Sequence, residues 1–218
     1  MSHNSDKVPL VVDLDGTLIK TDNLLEQFLV LIRTNIRLLP SLAAWLIQGK
    51  KARLKDQLAR IVEINIASIP YRQEVLAYIQ KARADGRKII LATAANQQVA
   101  KAVAKHLNIF DEVLASDAST NLKGSAKANL LKNKLGFRRF EYIGESRADV
   151  PVWKVSHTAT IVAASPATLA VAQRIAPHTK VLSTASLAAK TSHWFKMLRP
   201  YQWVKNLLVF LPLILAHN

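Results

Sequence analysis

Apolar residues gather in six short runs, Val8 to Val12, Lys88 to Ala92, Glu112 to Ala115, Phe140 to Ile143, Thr160 to Ala163 and Lys180 to Leu182. The first is continuous and rich in β-branched residues, as a strand buried on both faces should be. Between the later runs lie stretches of helical periodicity at about 97–107, 125–135, 147–155 and 166–176, with Gly136 placed to stop the second. Strands alternating with helices predict an α/β fold on a parallel, Rossmann-like sheet.

The stretch from Asn23 to Ala84 breaks that alternation. It carries only helical signals: Asn23 and Glu26 in capping-box spacing, Pro40 and Pro70 as first-turn residues, and no alternating run. An all-helical insert therefore follows the first strand.

The first strand runs out into VDLDGT, with Asp13 and Asp15 two positions apart and Gly16 breaking the run. Strand side chains alternate, so the two carboxylates share a side and the turn lets both reach one pocket. In a parallel sheet the carboxyl end of a strand is where ligands sit. Two carboxylates this close repel. A divalent cation between them, or separate roles as nucleophile and acid/base, would make the pair tolerable. A bare Asp-x-Asp-Gly is equally an ordinary acidic turn.

Three further elements follow in order. RKIILAT brings Thr93 to the end of a second apolar strand, NLKGSAKANLL offers Lys123 and Lys127 at the start of a helix, and EYIGESRADVPVW supplies Glu145 and Asp149 after another strand. Together with DLDGT they resemble the motif set of the haloacid dehalogenase-like phosphohydrolases, over residues of about 7–185. One departure stands out. The family pattern is similar to GDxxxD, whereas this chain reads GESRAD, so Glu145 adds a methylene where an aspartate is usual.

The resemblance implies a site and a chemistry. Asp13 would be the nucleophile that forms an aspartyl-phosphate, and Asp15 would protonate the leaving alkoxide and later deprotonate the attacking water. Thr93 and the backbone around Leu14 would hydrogen-bond the phosphoryl oxygens, with Gly16, Thr17, Ala94 and Lys123 as further substrate contacts. Lys127, which begins the amphipathic stretch KANLLKNKL, is the first choice for the catalytic lysine, and Lys123 precedes Gly124 in a loop. Magnesium would be the cofactor, held by Asp13, Asp15, Glu145 and Asp149, with Asp149 the safer ligand given the longer arm of Glu145. The helical insert falls where the family carries a cap that closes over the site and selects substrate.

Composition narrows the picture. A chain of 218 residues, half of them apolar, can bury one substantial core plus an accessory element. There is no cysteine, so disulfides and thiolate metal sites are excluded. The N-terminal MSHNSDK lacks an apolar core and is not a secretory signal, so the catalytic part is expected in the cytoplasm. Net charge is +15, and from Arg33 to Arg60 seven basic residues face one acid, Asp56. Two apolar helical segments, LLEQFLVLI and LLPSLAAWLI, lie beside that basic run. Such a surface can rest on an anionic bilayer, cradle an anionic substrate, or simply pack the cap onto the core. The basic residues do not point to nucleic acid as a partner, because aromatics do not interleave with them and no reader motif is present.

The tail changes character. From Lys190 to Asn218 there are four basic residues and no acids, with aromatics bunched ahead of an apolar run from Leu207 to Ala216. Ten residues are too few to span a bilayer, which takes about 20, but they suit an interfacial anchor or the start of a span. The string LRPYQWVKNLLVFLPLILA resembles the opening of UbiA-family membrane prenyltransferases, notably the branch similar to decaprenyl-phosphate phosphoribosyltransferases. The aspartate-rich motifs that would bind a prenyl diphosphate are expected further along than the two residues given after this string.

The sequence thus divides into a core at 7–22 and 85–188, a helical cap at 23–84 and a membrane-associated segment at 189–218. The expected function is a magnesium-dependent phosphatase for a small or lipid-linked phosphorylated compound, at the cytoplasmic face of a bacterial plasma membrane. Two alternatives stand beside it: the cytosolic domain of a UbiA-type prenyl or phosphoribosyl transferase fusion, and a non-catalytic interaction module of the same fold.

Overall fold

A computed structural model of the chain describes residues 7–21, 66–117 and 120–184. The expected helices at 24–32 and 38–47, the Asn23 cap, Pro40, the basic run at 33–60 and the tail at 189–218 lie outside the described residues.

The elements are β1 (Leu10–Val12), α1 (Gln73–Ala84), β2 (Ile89–Asn96), α2 (Gln97–Leu107), β3 (Glu112–Ser116), α3 (Ser125–Leu135), β4 (Glu141–Gly144), α4 (Val150–Val155), β5 (Thr158–Ala164), α5 (Pro166–Ile175) and β6 (His178–Thr184), with short 3-10 turns at Ile66–Ser68 and Arg147–Asp149. Six strands form one sheet in the order β3-β2-β1-β4-β5-β6, every pairing parallel. This is the α/β, Rossmann-like architecture that the alternation predicts.

Alternation along each strand sorts the core into two layers. Leu10, Val12, Ile89, Leu91 and Ile143 face one side, where Val75 and Ile79 of α1 and Val99 and Val103 of α2 cover them. Val11, Ile90, Ala92 and Tyr142 face the other, under Ala128 and Leu131 of α3, Val152 and Trp153 of α4 and Ala172 of α5. The helix Gln73–Ala84 sits inside the stretch that the sequence reading assigns to the insert, yet it packs on the sheet. Helical periodicity reports that a face is apolar and says nothing of which layer receives it.

The ends of the insert are tied together beside β1. Lys20 N–H donates to the Pro70 carbonyl at 3.0 Å, Arg72 N–H donates to the Leu18 carbonyl at 2.9 Å, and Ile19 bridges to Tyr71. Pro70 therefore belongs to this stalk and does not open a helix, since α1 begins at Gln73. Among the described residues no helix is long and apolar enough to cross a membrane.

Candidate functional site

Strand order reverses between β1 and β4, and in open parallel sheets the crevice beyond the strand ends at such a point is where ligands bind. Asp13 follows β1 and Glu145 follows β4, so both motifs flank that crevice. Asp13 continues the pairing, its N–H donating to the Ile143 carbonyl at 3.1 Å. Because Val11 and Tyr142 are register partners on the α3 side, alternation turns the Asp13 side chain to the same side.

There it meets Lys127. The ammonium donates to Asp13 Oδ1 at 2.8 Å and to the Tyr142 hydroxyl at 2.9 Å, and the lysine side chain is only 3% exposed. Lys127 stands in the first turn of α3, the end of a helix where a cation is disfavoured by the dipole. Its place is explained by what it touches. Tyr142 in turn donates to Asp149 Oδ1 at 2.7 Å. Asp149 Oδ2 accepts from the Ser146 N–H at 3.0 Å, the Ser146 hydroxyl at 3.1 Å and the Glu145 N–H at 3.2 Å. Ser146 and Asp149 form a reciprocal capping box around the 3-10 turn that leads into α4.

Burial pushes the Asp13 carboxyl up to about 6; Lys127 and the Leu14 amide favour its ionised form and the charge of Asp149 opposes it. Burial, with the charges of Asp13 and Asp149, raises the Tyr142 phenol well above its ordinary range, so it stays protonated.

Two glycines allow the close approach. A Cβ on Gly16, whose φ is +71°, would lie 2.2 Å from Glu145 Oε1, so the Glu145 carboxylate packs directly on the Asp15–Gly16 turn. A Cβ on Gly144 would lie 2.8 Å from Asp149 Cγ and 2.9 Å from Tyr142 Cε1. The longer arm of Glu145 thus spans from the end of β4 to the first motif. Arg72, returning from the insert, donates from Nε to the Gly16 carbonyl at 3.0 Å and ties the stalk to the same turn.

The remaining expected site residues are spread around this cluster. Thr93 is fully buried in β2, where the register slips between Ala92 and Asn96, and its hydroxyl accepts from the Ala95 N–H at 2.9 Å. Pairing of Val12 with Leu91 sets Asp13 abreast of Ala92, one step from Thr93. Ala94 is half-buried, and its carbonyl accepts from Ser116 Oγ at 3.0 Å. Leu14 is buried, Asp15 is half-buried and bridged to Ile19, and Thr17 is buried with no hydrogen-bond partner for its hydroxyl among the described residues. Lys123 is exposed on the loop before α3, its backbone bonded locally to Asn121.

Among the described residues no group of three or more histidine, aspartate or glutamate side chains is arranged to hold a metal ion. The two oxygens of Asp149 accept four hydrogen bonds, which makes it the anchor of the β4 loop. Sequence reasoning missed Tyr142 and Ser146. Ser146–Asp149 carries the S-x-x-D spacing of a capping box, and a tyrosine in a doubly buried strand must find a partner for its hydroxyl.

A family described as haloacid dehalogenase-like hydrolase matches residues 10–154. The uncharacterized protein y4nM of Sinorhizobium fredii is 35% identical over 211 residues, 96% of this chain, and the chain spans 40% of that protein's length. Among solved structures, a Bordetella pertussis Tohama I protein of unknown function superposes with a TM-score of 0.63 at 16% identity, covering 80% of this chain and 98% of its own. A phospho-aspartyl intermediate analogue of phosphoserine phosphatase superposes with a TM-score of 0.54 at 12% identity, covering 81% and 94%. Both likenesses are of fold.

Proposed function

The chain belongs to the haloacid dehalogenase-like hydrolase family, and from that premise we propose that it is a phosphatase working through an aspartyl-phosphate on Asp13. The observation that carries this reading is the buried Lys127–Asp13 pair at the switch point of the sheet. The same kind of intermediate is named for the phosphoserine phosphatase neighbour.

In this reading an Asp13 oxygen attacks phosphorus in line while the bond to the leaving alkoxide breaks, and Asp15 gives that alkoxide a proton. Asp15 then takes a proton from water, whose oxygen attacks phosphorus and frees Asp13 and inorganic phosphate. Lys127 neutralises charge on the equatorial oxygens, and Thr93 with the loop amides orients them.

Glu145 packs on the turn at Gly16 that follows Asp13 and Asp15, and these three with Asp149 are the residues that would hold magnesium, which is commonly held by one or two carboxylates plus waters and phosphate. When bound, the ion would neutralise phosphoryl charge. Substrate choice falls to the insert, whose stalk is tied to Gly16 through Arg72. Its basic and apolar segments, together with the tail, support a lipid-linked substrate at the cytoplasmic face of a bacterial plasma membrane.

A second reading, one domain of a longer prenyl or phosphoribosyl transferase, draws on the UbiA-like string at 198–216 and on the greater length of the Sinorhizobium relative. Hydrolysis of an aryl phosphate with and without magnesium tests the first. Activity that needs magnesium and disappears in Asp13→Asn supports it; equal turnover in that variant refutes it.

A further inference from the structure

We propose that Tyr142 is a positioning residue: its hydroxyl satisfies Asp149 with a neutral donor, so that the Lys127 ammonium is held on Asp13 instead of being shared between two carboxylates. The direction of the chain is fixed by the groups themselves. An ammonium has three donors and no acceptor, so toward Lys127 the phenol oxygen must accept. A phenol has one proton, and it is spent on Asp149 Oδ1 at 2.7 Å. The result is an ordered series, Lys127 to Tyr142 to Asp149, with Asp149 fixed from behind by Glu145 and Ser146.

Position makes this more than packing. Tyr142 is fully buried, its ring lies 5.4 Å from the Lys127 nitrogen, and Gly144 leaves the room in which Asp149 and the ring meet. Asp13 and Asp149 are then competing acceptors for one lysine, and the hydroxyl stands between Lys127 and Asp149. Two of the three Lys127 donors are committed to Asp13 and Tyr142. The third serves a phosphoryl oxygen, a step that rests on the phosphatase reading, whereas the positioning itself does not.

Tyr142→Phe keeps the ring and removes the hydroxyl. Crystal structures of the wild-type chain and of this variant, grown alike, are expected to show the Lys127 nitrogen leaving Asp13 for Asp149. Adding Asp149→Asn removes the competing charge and is expected to return Lys127 to Asp13. With an aryl phosphate and magnesium, Tyr142→Phe should lower kcat about tenfold with KM changed less than about threefold.

A Lys127 nitrogen that stays within hydrogen-bond distance of Asp13 in Tyr142→Phe overturns the proposal. If Tyr142→Phe does not fold, Asp149→Asn alone decides, because departure of Lys127 from Asp13 in that variant is contrary to competition and its retention there is the expected result. Absence of Asp13-dependent hydrolysis in the wild type would refute the phosphatase reading, while the shift of Lys127 would still establish the positioning.

Discussion

Lys127 Nζ lies 2.8 Å from Asp13 Oδ1, joining residues 114 positions apart in the chain. Taking both charges out of water costs about as much as their attraction returns, so a buried pair of this kind is weak support for stability. Its value is chemical: it fixes a cation beside a carboxylate that follows the central strand.

That relationship separates the two lysines of the third motif. Lys127→Met should reduce aryl phosphate hydrolysis by about a hundredfold or more, the usual cost of losing a positioned charge-stabilising donor. Lys123→Met should stay within about threefold of wild type, because Lys123 is exposed and its backbone bonds only nearby residues, Asn121 and Ala126, among those described. Steady-state kinetics on both variants decide the assignment, and the reverse order would contradict it.

Gly144→Ala should be disproportionately harmful for one added methyl. The new Cβ would lie 2.8 Å from Asp149 Cγ, and Asp149 is held by four hydrogen bonds that leave it little room to yield. Overpacking of this kind costs about 1–3 kcal/mol, and it should lower both Tm and kcat. A thermal melt unchanged from wild type would mean that Asp149 moves freely.

Much of this was legible beforehand, and the exceptions have physical causes. The strand leading to Asp13, Lys127 in the first turn of α3 and the Glu145 to Asp149 loop after β4 fall where periodicity and motif spacing put them, whereas Thr93, expected at the end of its strand, lies within β2, which runs on to Asn96. Two features stayed hidden. Tyr142 reads as one more apolar strand residue, since nothing in a single sequence says that its hydroxyl will face a lysine fifteen positions earlier. Asp149 reads as an open carboxylate, because its occupation by Ser146 and Tyr142 depends on how β4 and its loop pack. The packing of the helix Gln73–Ala84 on the sheet is hidden for a similar reason, as its apolar face is visible in sequence and the layer that receives it is not.

Stability should fall in acid through Glu141. This carboxylate starts β4, is 3% exposed, and is bonded by Tyr78 at 2.6 Å and by Thr160, with Arg87 in an ion pair at 2.8 Å. Burial alone would raise its pKa, but the Thr160 and Tyr78 hydrogen bonds and Arg87 outweigh that and hold it below the ordinary 4.5. A depressed folded value means that the contribution is complete above about 4.5 and is lost as pH falls through the folded value. Glu141→Gln should therefore lower Tm near neutral pH and flatten its decline below pH 4.5 relative to wild type. Parallel melts at both ends of the range would show that Glu141 carries no linked protonation.

The covalent role of Asp13 can be read directly by mass spectrometry of the quenched Asp15→Asn variant. An aryl phosphate with an acidic phenol as leaving group needs no proton from residue 15 for the first transfer, whereas release of the phosphoryl group needs a base there. The variant should accumulate one phosphoryl group on the peptide containing Asp13, and adding Asp13→Asn should abolish it. A phosphoryl group on another peptide, or turnover of the aryl phosphate undiminished by Asp13→Asn, would contradict the assignment of Asp13 as nucleophile.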